Sequence, residues 1–139
     1  GLFRHESTAT RTVRRTTRAG RVVSETEAEA TENQYSILLL SHLSLAKLRE
    51  VAAHELAHDW MAGNYPGVSD PLLKEGWAEY VAALVNERFG QAAMNRRMAD
   101  NPDPVYGAGY RLVRELAERE GMAGLRRRFA DAQAVNPTD

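Results

Sequence analysis

The segment His54-Glu55-Leu56-Ala57-His58 sits inside an otherwise apolar stretch, and that placement constrains the fold more than any other feature of the 139 residues. The stretch runs from Ser44 to Gly63 as SLAKLREVAAHELAHDWMAG. Ser44 suits a helix N-cap and Gly63 a stop, so the spacing predicts a helix over 44–63. This helix is apolar almost all round, which predicts burial. Two histidines four residues apart share one face of a helix, so both imidazoles can reach one ion. Glu55 lies about 100° round the helix from His54, placed to touch a water held by the ion and not the ion itself. Burying three such groups without partners would cost several kcal/mol. That cost favours a metal site over two core histidines and a chance glutamate.

A third ligand is needed, and Glu75 is the candidate. Asp70-Pro71 is a strong helix start, with Asp as cap and Pro at the first helical position, and opens a second helix over 70–90. Sixteen residues separate His58 from Glu75. Glu79 follows one turn later on the same face, suited to accept a hydrogen bond from His54 and fix its tautomer. Gly76 and Ala78 are small enough to let the two helices approach closely. Zinc with three protein ligands keeps its fourth position for water and lowers that water's pKa to about 7. Glu55 then acts as general base and passes the proton to the leaving amine. Trp60 and Trp77, at helical spacing from these residues, read as core.

The remainder of the chain reads as one domain of class α+β over residues 1–139, with strands first and helices later. Residues 1–40 are mainly strands. The runs Arg11–Arg18 and Arg21–Ala28 flank Ala19-Gly20, a plausible hairpin turn. A two-residue loop there sets Arg14 opposite Glu25 and Thr12 opposite Glu27. The apolar run Gln34–Leu40 is the candidate buried strand. Residues 91–139 are helical, broken by Asn101-Pro102-Asp103-Pro104 and by Gly121. Hydrophobic content of 43% and charged content of 27% are ordinary for a globular domain. With no cysteine, thiolate metal sites are excluded, and a transition metal must use His and carboxylate. The same absence fits a reducing compartment, and a cytoplasmic location is expected. No apolar stretch is long enough to span a membrane. A net charge of −1 gives the whole molecule no pull towards nucleic acid. The arginines Arg11, Arg14, Arg15, Arg18 and Arg21 have cross-strand glutamates and no interleaved aromatics, so nucleic-acid binding is not expected. His5, in a strand, and His42, in a loop, read as structural or exposed.

HELAHDW followed by KEGWAEY resembles the gluzincin group of zinc peptidases, which includes thermolysin and the aminopeptidase N family. The opening GLFRHESTATRTVRR, the run ILLLSHLSLAKLREVAAHELAHDW, the spacing to Glu75-Gly76 and the late DPVYGAGYRLVRELAEREGMAGLRRRFADAQ resemble one branch more closely. That branch is the DA-one peptidases, the ubiquitin-activated growth regulators of plants, with their microbial relatives. The resemblance covers nearly the whole chain. It implies a minimal gluzincin fold, with an N-terminal antiparallel sheet packed on the metal-bearing helix and further helices below. It implies zinc on His54, His58 and Glu75, catalysis by Glu55, and a protein or peptide substrate. Tyr106, in PVYGAGY, resembles the transition-state tyrosine that aminopeptidase N relatives place in a Tyr-x-x-Gly context; for Tyr106 and Tyr110 alike the alternative is packing. Leu2–Ser7 is the implied edge strand for pairing with extended substrate.

The chain also departs from that pattern. Plant members carry ubiquitin-interacting segments and cysteine-rich LIM modules, and this sequence has neither, so ubiquitin-type regulation rests on the resemblance alone. Glu79 stands where the family has a Gln-like residue, nearer to the thermolysin arrangement. The Gly-Ala-Met-Glu-Asn exopeptidase motif is missing, which weakens an aminopeptidase reading. The expectation is zinc-dependent hydrolysis of peptide bonds. The alternative is a non-catalytic, zinc-stabilised interaction module, against which the intact Glu55 speaks, since a structural site needs no general base.

Overall fold

The structure, a computed structural model, describes residues 2–18 and 21–135, with side chains described for all of these except 5, 14–18, 21–26, 33, 35 and 135. The turn expected at Ala19-Gly20, the pairing of Arg14 with Glu25, the side chain of His5 and those of Arg15, Arg18 and Arg21 lie outside the described residues. Among the described residues the order is two strands, then four helices, an α+β arrangement. The chain divides into two compact units, one spanning Arg4–Ser36 and the other formed by the described residues on either side of it.

The first unit is an antiparallel ribbon of two long strands, β1 (Leu2–Arg18) and β2 (Arg21–Leu38), whose outer ends run into the second unit. Every described side chain from Arg4 to Ser36 is exposed, as suits runs rich in Thr, Glu and Arg with no apolar alternation. Arg11 Nε donates to Glu27 Oε1 across the ribbon. This is an arginine–glutamate contact across the strands, one residue away from the Thr12–Glu27 register. The expectation for Gln34–Leu40 fails. The strand ends at Leu38, and Leu38, Leu39 and Leu40 are 52%, 41% and 69% exposed. An apolar run reports that burial would be favourable; burying both its faces takes a layer on each side.

The second unit is helical. Helix α1 (Leu45–Asn64) starts where expected, Ser44 Oγ accepting from the Lys47 amide at 3.3 Å. Helix α2 (Pro71–Arg88) starts on Asp70, whose Oδ1 accepts from the Leu72 amide at 2.9 Å. Both caps satisfy amides that a helix start leaves without partners. A short α3 (Ala92–Ala99) follows, then α4 (Tyr106–Val135), which breaks at Gly121 where φ is +67°. That left-handed conformation is open to glycine at little cost, and the break falls where the sequence places it.

Helix α2 is central and packs against α1, α3 and α4. Its Ala78, Ala82 and Ala83 are buried, as are Ala53 and Ala57 of α1, so small residues line the α1–α2 contact. Polar ties hold it as well. Trp77 Nε1 donates to the Ala57 carbonyl at 3.2 Å. Asn86 Nδ2 donates to Glu50 Oε2 at 2.8 Å, and Glu50 also pairs with Lys47. Trp77 is therefore core, with its ring tilted against Trp60 and edge-on to Phe129 in one cluster. Two expectations need correction here. Helix α1 is not buried all round: Leu45 is 61% and Leu56 57% exposed, because among the described residues α2 is its only close helical neighbour. Gly76 faces α4 and not α1. A Cβ added there would stand 2.3 Å from the Gly109 carbonyl oxygen.

Candidate metal centre

His54 and His58 stand one turn apart on α1, as their spacing requires, with Nε2 atoms 3.1 Å from each other. The Asp70-Pro71 start sets the frame of α2 so that Glu75 falls early in it and turns towards both rings. Glu75 Oε2 lies 3.4 Å from His54 Nε2 and 3.2 Å from His58 Nε2. Among the described residues, these three form the one group of His and carboxylate side chains arranged to hold a metal ion. All three are largely but not fully buried, with side chains 12–22% exposed.

The donor set fits zinc on two counts. Ligand atoms about 2.0–2.1 Å from a tetrahedral ion stand about 3.3–3.4 Å from one another, close to the separations observed. The chemistry also asks for a cation. Glu79 Oε1 lies 3.2 Å from His54 Nδ1, which makes Nδ1 the donor nitrogen and leaves the Nε2 lone pair aimed at a carboxylate. Two lone pairs at that distance repel unless a proton or a metal ion sits between them. In the protein without metal the proton plays this part. Burial pushes the His54 pKa down, but hydrogen bonds to Glu75 and Glu79 outweigh it and raise the pKa to about 9. Burial likewise pushes Glu75 up, and hydrogen bonds from His54 and His58 outweigh it and hold the carboxyl at about 2.

The other expected residues sort clearly. Glu55 is 5% exposed and stands outside the group formed by His54, His58 and Glu75. Tyr106 is 44% exposed, and its ring stacks near His54 with centroids 6.4 Å apart and planes 27° apart. Its phenol pKa is raised by the charge of Glu75 first, then by burial, Asp103, Glu79 and Glu55, so the hydroxyl stays protonated among these carboxylates. Tyr110 is 2% exposed and packs with Ala53, Ala82, Ala83 and Met98, the packing role foreseen as its alternative. His42 is exposed, beside Ser41 Oγ at 2.9 Å, and among the described residues it joins no metal-capable group.

The sequence reading missed Phe3. Its ring lies 6.4 Å from that of His58 with planes 25° apart, so aromatic rings stand beside both imidazoles. No spacing in the sequence announces a contact across that separation. Asp103 was also passed over. Its Oδ1 accepts from the Val105 and Tyr106 amides at 2.8 Å each, and a Pro-Asp-Pro stretch just ahead of a helix was the available signal. Comparison with known proteins leaves the geometry to stand alone: no family model, curated protein or solved structure matches the chain.

Proposed function

We propose that the chain is a zinc-dependent peptidase of the gluzincin type, cleaving peptide bonds within protein substrates. The convergence of His54 Nε2, His58 Nε2 and Glu75 Oε2 to within 3.1–3.4 Å of one another carries this reading. These three atoms would hold the ion. When bound, zinc supplies Lewis acidity, which polarises a carbonyl and makes a water nucleophilic near neutral pH.

The chain's own residues supply the rest. Glu79 fixes the His54 ring through Nδ1, keeping Nε2 free to ligate. Glu55 takes a proton from the attacking water and returns it to the leaving amine. The Tyr106 hydroxyl donates a hydrogen bond to the carbonyl oxygen as negative charge grows on it. A purely structural zinc site is normally closed by four protein ligands. Three ligating residues with a buried glutamate next in sequence to one of them favour catalysis over that alternative. The deciding experiment is metal analysis joined to cleavage of an unstructured protein, with wild type beside Glu55→Gln. Stoichiometric zinc in both and cleavage only by wild type is the expected result. Absence of tight zinc binding by wild type sinks the proposal.

A further inference from the structure

Three separate constraints meet on the first turns of α4, in the segment Tyr106-Gly107-Ala108-Gly109. The first is a backbone contact with α2. A Cβ added to Gly109 would stand 2.6 Å from the Leu72 carbonyl oxygen and 3.0 Å from the Gly76 amide nitrogen. The reciprocal Cβ on Gly76 would meet the Gly109 carbonyl group. Helix axes usually lie about 8–10 Å apart, at a distance set by the side chains between them; here backbone meets backbone at Gly76 and Gly109, with the Val113 side chain beside them. The second is a contact with the preceding loop. A Cβ on Gly107 would lie 1.9 Å from the Asn101 carbonyl oxygen. The third is polar. Asp103 Oδ1 holds the Val105 and Tyr106 amides, while Arg111 Nη1 donates to the Ala99 and Asn101 carbonyls at 2.9 and 2.8 Å.

Tyr106 lies at the centre of these constraints, and Glu75 is the residue before Gly76. We propose that Gly107 and Gly109 are positioning residues, bringing the start of α4 into backbone contact with the 101–104 loop and with α2, and so setting the Tyr106 hydroxyl against the metal-binding group. The inference rests on the role proposed above for Tyr106. An ordinary side chain at either glycine would push the helix start outwards, and a misplacement of about 1 Å can cost about a hundredfold in rate. His54, His58 and Glu75 lie on α1 and α2, so zinc content reports whether the contact at Gly76 has shifted the ligand group as well.

The test is a double-mutant cycle on zinc-loaded protein, with turnover, Michaelis constant and zinc content measured for Gly109→Ala, Tyr106→Phe and the pair. Gly109→Ala should keep one zinc and a near-normal Michaelis constant while turnover falls by about tenfold or more. Added to Tyr106→Phe it should cost less than about twofold, because the hydroxyl it misplaces is already gone. A merely structural glycine would cost the same in both backgrounds, and that additivity overturns the inference while leaving Tyr106 in its role. Full turnover in Tyr106→Phe alone removes both. Ring-proton cross-relaxation between Tyr106 and His54 gives a readout independent of activity: it should weaken in Gly109→Ala, and its persistence counts against the inference. Should Gly109→Ala fail to fold, Asp103→Ala releases the Tyr106 amide without adding volume and carries the same cycle with the same deciding outcomes.

Discussion

Glu79 Oε1 lies 3.2 Å from His54 Nδ1, while the other nitrogen of that ring faces His58 and Glu75. The two glutamates of α2 therefore grip one imidazole from different atoms, and their substitutions should differ in kind. Glu75→Ala removes a ligand atom and should abolish stoichiometric zinc binding. Glu79→Ala removes the group that orients His54 and should weaken affinity or activity by about 10–100-fold. Zinc titration against a competing chelator separates them. Abolition by Glu79→Ala with retention by Glu75→Ala would reverse the assignment.

Glu55 carries a sharper contrast. Its carboxylate is buried on α1 and absent from the ligand group, so its loss should spare the metal. Glu55→Gln should keep zinc and fold while turnover falls by at least about a hundredfold. Loss of zinc in this variant would make Glu55 a ligand, and unchanged turnover would remove it from the mechanism.

Zinc binding should release protons and strengthen as pH rises. With its pKa at about 9 in metal-free protein, His54 is protonated at neutral pH, whereas zinc takes the neutral ring. Affinity should rise about tenfold per pH unit up to about pH 9 on this account and then level off. Glu75, held at about 2, offers no competing proton near neutrality. Calorimetry at pH 7 in two buffers of different ionisation heat should report about one proton released from this ring; none released contradicts the pairing of His54 with Glu75 and Glu79. In the metal-free state the signs are opposite for the two partners. The raised His54 pKa stabilises the fold below its ordinary value of 6.5, and that contribution is lost as pH climbs through about 9. The depressed Glu75 pKa stabilises above 4.5, a contribution lost as pH falls towards 2.

How much of this was legible in the sequence depends on the range of the physics involved. The histidine pair follows from helix periodicity alone. The frame that delivers Glu75 and Glu79 follows from the Asp70-Pro71 cap, which is also local. The break at Gly121 needed only the rule for that residue. What failed were statements about neighbours. Leu38–Leu40 carry the apolar character of a buried strand, but that character does not say whether any layer covers them. Leu45 and Leu56 made α1 look buried on every face, although among the described residues only α2 packs on it. Gly76 was rightly read as a point of close approach, yet its partner is Gly109, thirty-three residues on. Phe3 reaches His58 across more than fifty residues, a contact for which local pattern holds no information.

The two tyrosines of α4 give the last prediction, because they share a sequence motif and differ in surroundings. Tyr106 is exposed beside His54, and Tyr110 is buried among alanines and Met98. A phenol that donates to the growing oxyanion acts mainly in the transition state, so its loss should lower turnover more than substrate affinity. Tyr106→Phe keeps the ring and should preserve zinc content and thermal stability while turnover drops about a hundredfold or more. Tyr110→Phe also keeps its ring, and its turnover should stay near wild type. Truncation reverses the order. Tyr110→Ala opens a cavity in the core and should cost about 3–5 kcal/mol of stability by analogy with buried aromatic truncations, whereas Tyr106→Ala should leave the melting temperature nearly unchanged. Steady-state kinetics and thermal denaturation of the four variants check both axes. A turnover loss in Tyr110→Phe with none in Tyr106→Phe would place the donor one turn further along α4, and a loss in neither would leave both rings as packing and put the oxyanion donor elsewhere.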